Sequence, residues 1–130
     1  MKLVIALVVG LLAGAMAAVV VANTLRQRDA YARGLMDVMQ HHYSVLRESL
    51  RTRRCEPAAM AHALARLRAL APDIETAVYA DNTPDAPFRE FSARLATTLD
   101  RAAPGGDCAA LAPLAQDIGK VCDECHQQYR

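Results

Sequence analysis

The sequence predicts an all-α protein: an antiparallel up-down-up-down four-helix bundle preceded by an N-terminal hydrophobic helix. Alanine and leucine are abundant and glycine is scarce between residues 24 and 103, a composition that favours helix over strand. Apolar residues recur at helical spacing in four later segments, which are separated by short links containing proline or glycine. Short links between helices of similar length place neighbouring helices antiparallel.

The N-terminal segment is an uncharged, almost wholly apolar run over residues 3–22. At about 20 residues, the run is long enough to cross the hydrocarbon of a membrane. Lys2 before the run, and the small-residue site Ala15-Met16-Ala17 within it, are also typical of a cleaved signal peptide. Anchor and signal peptide both remain open. We therefore assign residues 1–22 to an anchor or signal segment and residues 23–130 to the bundle domain.

The first bundle helix is expected over residues 23–53. Its apolar positions repeat every seven residues in two rows, which is the pattern of a bundle seam. The rows are Leu25, Ala32, Met39 and Leu46, and beside them Met36, Tyr43 and Leu50.

The second helix is expected from Pro57, which suits a first turn, to Pro72, which ends it. The loop that follows has room for one helical turn over residues 74–79. The third helix begins between Pro84 and Pro87, and the Pro-Gly-Gly run at 104–106 stops it.

The fourth helix is expected after Asp107, a plausible N-cap. Pro113 lies early in this helix and could kink it or delay its start. The inner face is expected to carry Leu111, Leu114, Ile118 and Cys122.

Charge and side-chain chemistry exclude several functions. The 15 basic and 14 acidic residues nearly balance, so no basic field points to nucleic acid. We find no nucleophile with a matching base and no acid–base pair, so the chain is not predicted to be an enzyme.

The run 122–126 reads Cys-Asp-Glu-Cys-His, which is the Cys-x-x-Cys-His signature of covalent haem attachment. On a helix, Cys122, Cys125 and His126 project from neighbouring positions of one face. The two thiols can then add to the two vinyl groups of one porphyrin, and the imidazole beside them reaches the iron. The sequence therefore predicts one haem c with His126 as the proximal iron ligand.

Three other interpretations of the motif compete with haem attachment. A zinc site would need two more ligands, and no second Cys-x-x-Cys is present. A thioredoxin-type redox pair would lie at a strand-to-helix junction, which this sequence lacks. A structural disulfide between Cys122 and Cys125 would leave His126 without a role.

The run 119–130, Gly-Lys-Val-Cys-Asp-Glu-Cys-His-Gln-Gln-Tyr-Arg, resembles the C-terminal helix of the cytochrome c prime family, the class II c-type cytochromes. That family carries Gly-x-x-Cys-x-x-Cys-His near the chain end, followed by an aromatic and a basic residue. The run 36–43, Met-Asp-Val-Met-Gln-His-His-Tyr, resembles the family stretch that begins at the distal haem residue. The resemblance implies a four-helix bundle and a homodimer through the first two bundle helices.

The resemblance also implies that the distal residue on the first bundle helix decides the iron chemistry. An apolar residue leaves iron five-coordinate, whereas methionine closes the sixth position. Measured from the end that carries Arg53 and Cys108, His126 lies roughly 27 Å down its helix, Met36 roughly 25 Å and Met39 roughly 21 Å. Met36 is thus the expected distal ligand; His42 lies at roughly 16 Å, the wrong height.

Arg28 and Arg33 precede Met36 by two turns and one turn. Because arginine suits carboxylates, either could contact a haem propionate. The family's arginine aligns with Ala32, one residue away from Arg33.

The leading functional hypothesis is a periplasmic electron-transfer cytochrome, tethered to the inner membrane by residues 3–22 and serving redox partner proteins. Methionine ligation favours electron passage over oxygen chemistry. The alternatives are a gas-binding cytochrome that sequesters nitric oxide and, from another class, a thiol-disulfide protein using Cys122 and Cys125.

The remaining cysteines, Cys55 and Cys108, are predicted to form a disulfide. A leftover pair in an oxidising compartment tends to be bonded. Cys55 lies in the turn between the first two bundle helices, and Cys108 lies in the turn between the last two. In an up-down-up-down bundle these two turns are at the same end, and the first and fourth helices are neighbours.

Overall fold

The computed structural model describes residues 2–28, 30–79, 82–102 and 107–129, without the side chains at positions 3 and 25–28. Six helices form over the described residues, and no β-strand is found among them, which confirms the predicted all-α class. They are α1 (Lys2–Arg28), α2 (Ala30–Thr52), α3 (Pro57–Leu70), α4 (Asp73–Val78), α5 (Ala86–Asp100) and α6 (Cys108–Gln128). The chain divides into two compact units, Met1–Tyr31 and Ala32–Arg130.

The first unit contains the predicted N-terminal hydrophobic helix, α1. Its side chains at positions 4–24 are all exposed, so within this unit the helix has no buried face. From Val4 to Thr24 the helix is long and apolar enough to span a membrane, a property that it shares with a signal sequence.

The helix expected to begin at residue 23 begins later in the structure. Residues 23 and 24 lie inside α1, and α2 begins at Ala30. The hydroxyl of Thr24 donates to the Val20 carbonyl oxygen, at 2.8 Å, so it satisfies a group within α1 instead of capping a new helix. Asp29 lies outside the described residues.

In the second unit, three helices begin at an acidic N-cap. Glu56 accepts from the backbone N–H of Ala59 at 2.7 Å, and Asp85 accepts from that of Phe88 at 2.8 Å. Asp107, the predicted cap of α6, accepts from Ala110 at 2.9 Å, which confirms it. These carboxylates satisfy N–H groups that have no partner within the helix.

The structure also tests the predicted short helical turn and the predicted effect of Pro113. The expected helical turn after the second bundle helix is α4. Pro113 lies inside α6, which begins ahead of it at Cys108, so the proline does not delay the helix. The Pro-Gly-Gly run at 104–106 lies outside the described residues.

The core of the second unit is built around α5, whose backbone approaches those of α6, α3 and α4 closely. The largest fully buried side chains are Phe88, Met60, Leu99 and Ile118. Helix α2 adds Met39 and Leu46, both predicted, and Leu35, which the seven-residue rows missed. The buried face of α2 is therefore wider than the two predicted rows, because it also includes Leu35, the residue before Met36.

The predicted disulfide between Cys55 and Cys108 is confirmed, with the two Cα atoms 5.4 Å apart. It joins the α2–α3 link to the start of α6. Its sequence separation is 53 residues, so in the chain-entropy model it contributes about 4 kcal/mol to the free energy of unfolding.

Candidate functional site

The Cys-x-x-Cys-His motif lies in the last turns of α6, and the helix stays regular through it. The helix ends just after the motif, where the backbone N–H of Tyr129 donates to the Cys125 carbonyl oxygen at 2.8 Å. Cys122 and Cys125 are half-buried free thiols, and His126 is exposed. The helix thus presents two thiols and an imidazole at the edge of the core.

A narrow apolar cleft lies beside the motif. The side chains of Cys122, Cys125 and His126 line one part of it, and Met36 and Met39 line another part from α2. Its volume is about 60 Å³. The rest of the lining is mainly aliphatic or aromatic and includes Leu67, Ile74, Phe91, Leu95, Ile118 and Val121.

An open groove adjoins the cleft and runs along α2 and α6, with a volume of about 770 Å³. Gln40, Tyr43, Cys122 and His126 line both the cleft and the groove. The groove is more polar, since Arg47, Lys120, Asp123 and Glu124 also line it. The motif therefore lies at the boundary between the apolar cleft and the polar, solvent-exposed groove.

Tyr43 fixes α2 against α6 at this boundary. Its hydroxyl donates to the carbonyl oxygen of Ala115 at 3.1 Å, and the guanidinium of Arg47 lies 5.8 Å from its ring centre. The hydroxyl crosses α6 directly over Gly119, the first residue of the family-like run. Burial is the main cause that raises the pKa of Tyr43, so the phenol stays protonated and remains a donor.

Tyr129 fixes the end of α6 beyond the motif. Its hydroxyl donates to the Asp85 carboxylate at 2.6 Å, and its ring packs edge-on against Phe88, 5.0 Å between centres. Phe88 also packs against Tyr79 at 4.8 Å. Sequence reasoning gave Tyr129 no contacts, although an aromatic residue after the motif was part of the resemblance.

Charged side chains of α5 and α6 contact the motif at Glu124. Arg94 of α5 forms an ion pair with Glu124, which lies within the motif, and the ammonium nitrogen of Lys120 lies 4.0 Å from the same carboxylate. The Arg94 guanidinium also lies 5.5 Å from the ring centre of Phe91, a residue of the cleft wall. These contacts link the motif to α5.

The thiols are electrostatically unsuited to act as thiolates. Burial is the main cause that raises the pKa of Cys122 to about 11, and the neighbouring charges of Asp123 and Cys125 add to it. Burial likewise raises the pKa of Cys125. Both thiols are therefore protonated near neutral pH.

The predicted site residues do not all meet at the cleft. Met36, Met39, Cys122, Cys125 and His126 line it together. Among the described side chains, Arg33 is absent from its lining and is exposed on α2; His42, which its height on the helix excluded as a ligand, is absent from the lining too. The side chain of Arg28 lies outside the described residues, so its expected propionate contact stays a prediction.

The donor set fits a covalently attached haem. Two thiols and an imidazole from one helix face a cleft that also holds a methionine thioether and has apolar walls. Over the part of the chain that the structure describes, no three His, Cys, Asp or Glu side chains are grouped to hold a single metal ion. The macrocycle needs several hundred Å³, more than the cleft alone provides, so it would extend into the adjoining groove.

No protein-family model matches the chain, and comparisons with curated proteins and with solved structures also find no match. Function is therefore inferred from the chemistry of the site itself.

Proposed function

We propose that this chain is a c-type cytochrome of the class II type that carries one haem and transfers electrons in the periplasm. Cys122 and Cys125 would hold the haem covalently, with His126 as the proximal and Met36 as the distal iron ligand. The four longer helices of the second unit, α2, α3, α5 and α6, would form the up-down-up-down bundle around it.

The observation that carries this proposal is the cleft that the motif and Met36 share. The motif residues lie at the end of α6 and Met36 lies on α2, separated by most of the chain, yet they line one apolar space. A methionine on a helix seam is usually core filler. That Met36 is half-buried and lines the same cleft as the motif supports its assignment as the distal ligand.

The residues divide the work by their chemistry. Each thiol would add across one vinyl double bond of the haem and give its hydrogen to the vinyl group, so attachment would need no oxidant. A haem bound there supplies an iron that alternates between ferric and ferrous states. The apolar walls would limit water near the iron, and the thioether of Met36 would favour the reduced state and so a higher reduction potential.

Helix α2 is the wall that can adjust to a macrocycle. Close backbone approaches tie α5 to α6, α3 and α4, whereas α2 joins them through side chains such as Met39 and Tyr43. A shift of α2 would widen the cleft at the expense of the Tyr43 hydrogen bond and part of the packing of Met39.

The alternative function as a thiol-disulfide protein is disfavoured by the state of the thiols. Exchange requires a thiolate, and cysteines that perform it have lowered pKa values. The raised pKa values of Cys122 and Cys125 run in the opposite direction.

Helix α1 would tether the domain to the inner membrane and leave it available to redox partner proteins. Protein recovered from the native membrane should then retain residues 1–17 in its intact mass. Soluble protein that begins at Ala18 would instead identify α1 as a cleaved signal peptide.

Expression in a host that matures c-type cytochromes tests the proposal. The denatured chain should retain one haem mass, and Cys122→Ala combined with Cys125→Ala should abolish it. The matched control is Cys55→Ala combined with Cys108→Ala, which removes the other two cysteines and should keep the haem. Haem that extracts into acidic organic solvent from the wild-type protein would refute covalent attachment.

A further inference from the structure

Three histidines gather on the face formed by α2 and α3, away from the cleft. The ring centres of His42 and His62 lie 5.8 Å apart, and those of His42 and His41 lie 5.3 Å apart. His62 and His41 are exposed, and His42 is half-buried. None of the three lines the cleft or the groove beside the motif. The proposed cytochrome function therefore leaves this cluster without a role.

From this geometry we propose that His42 and His62 form a binding site for a borderline divalent cation of the Zn²⁺ or Cu²⁺ class, which bridges α2 and α3. Imidazole nitrogen is a preferred ligand of these ions. The site is independent of haem attachment.

The spacing of the two rings suits one shared ion. With zinc–nitrogen bonds of about 2.1 Å, two imidazoles on a tetrahedral ion have ring centres roughly 5.2 Å apart. The observed 5.8 Å exceeds this by only about 0.6 Å, which the exposed side chain of His62 can close by a small rotation.

His41 is not a third ligand. The ring centre of His41 lies 5.3 Å from that of His42, but the two residues are consecutive on α2, and consecutive helix positions do not face each other. The two bridging histidines would therefore share the ion with water, which is accessible because His62 is exposed.

The ligand type favours this class of cation over hard cations. Mg²⁺ and Ca²⁺ bind through oxygen ligands, which two imidazoles do not offer. Zn²⁺ and Cu²⁺ accept imidazole nitrogen, so His42 and His62 can hold such an ion.

Binding would stabilise the contact between the two helices. An ion that holds α2 to α3 binds the folded chain more tightly than the unfolded one, so it raises the apparent stability by mass action.

Titration of the full chain with zinc chloride tests this site by calorimetry and by thermal unfolding. The wild-type chain should bind zinc with a raised Tm, and His62→Ala should weaken this binding at least tenfold and remove the Tm increase. His42→Ala should do the same. His41→Ala is the matched control, because it removes a neighbouring histidine of the same helix and should leave binding unchanged.

The outcomes separate this proposal from the cytochrome function. Any zinc taken up by the motif cysteines appears equally in the wild type and in His62→Ala, so it cancels from the difference. Equal binding by wild type and His62→Ala would overturn the site, whether or not the chain carries haem. If His41→Ala weakened zinc binding as much as His62→Ala, the assignment of His42 and His62 as the ligand pair would be wrong.

Discussion

The hydroxyl of Tyr43 occupies the space that any side chain at Gly119 would need. A Cβ atom built at residue 119 would lie 2.1 Å from this hydroxyl, far inside contact distance. The same hydroxyl donates to the Ala115 carbonyl oxygen at 3.1 Å. Glycine at 119 thus lets α2 and α6 be joined by a hydrogen bond just ahead of the motif.

We expect Gly119→Ala to destabilise the protein, although alanine is the better helix former by about 1 kcal/mol. The new methyl group displaces Tyr43 and breaks its hydrogen bond, and overpacking of this kind costs about 1 to 3 kcal/mol. The net loss in the free energy of unfolding should be about 1 kcal/mol or more, measured by urea denaturation.

The control for Gly119→Ala is the same change in a Tyr43→Phe background. Without the hydroxyl, the nearest ring atom lies 3.1 Å from the new Cβ, which a small shift accommodates. Gly119→Ala should then be neutral or stabilising. An equal loss in both backgrounds would show that the hydroxyl is not the reason for glycine at this position.

Arg53 ends α2 in a left-handed conformation, with φ at 55°. The N–H of Arg54 donates to the Ser49 carbonyl oxygen at 2.9 Å and that of Arg53 to Leu50 at 3.2 Å, the pair of hydrogen bonds of a Schellman motif. Glycine usually takes this position. We expect Arg53→Gly to raise the free energy of unfolding by about 1 kcal/mol, because it relieves the steric cost of Cβ.

Arg53→Ala is the matched control for that change. It removes the same charge and the same long side chain but keeps the Cβ atom. It should give no gain, and stabilisation as large as that from glycine would show that the benefit comes from removing the charge. Thermal unfolding of both variants at one ionic strength measures the difference.

Local chemistry made much of the fold predictable from sequence. Asp107 was identified as an N-cap, and the Cys55–Cys108 bond followed from two turns at one end. Contacts between distant helices were not predictable in this way. The bond from Tyr43 to Ala115 and that from Tyr129 to Asp85 depend on how one helix is rotated against another, which seven-residue periodicity does not define. Arg53 carried no signal because arginine is not typical of a left-handed helix end.

The hydrogen bond from Tyr129 to Asp85 predicts a pH dependence with two limbs. The bond and the N–H of Phe88 lower the pKa of Asp85. The ionised carboxylate therefore adds to the free energy of unfolding above the usual carboxyl pKa near 4, and this stabilisation is lost as pH falls below it. The same bond raises the pKa of Tyr129 to about 12. The protonated phenol therefore stabilises the fold fully below the usual phenol pKa near 10, and this stabilisation is lost as pH rises through about 12.

Tyr129→Phe should therefore lower the stability relative to the wild type by a constant amount from pH 5 to pH 9. The difference between the two proteins should shrink below about pH 4 and above about pH 10. Urea denaturation across this range measures it. Asp85→Asn removes the carboxylate, so it should abolish the acid limb and also shift the alkaline limb toward the usual phenol pKa near 10. A difference that does not vary with pH would show that Tyr129 acts through its ring packing alone.

The last prediction concerns the sixth iron ligand, and two methionines of the same cleft provide its test. Met36 is half-buried and Met39 is 6% exposed, and both line the cleft beside the motif. In haem-loaded protein, Met36→Ala should turn a low-spin absorption spectrum high-spin and let the reduced form bind carbon monoxide. Met39→Ala should cost about 2 to 5 kcal/mol of stability through its cavity and stay low-spin. A spin change in Met39→Ala alone would reassign the ligand, and a wild type that is already high-spin and binds carbon monoxide would favour gas binding over electron transfer.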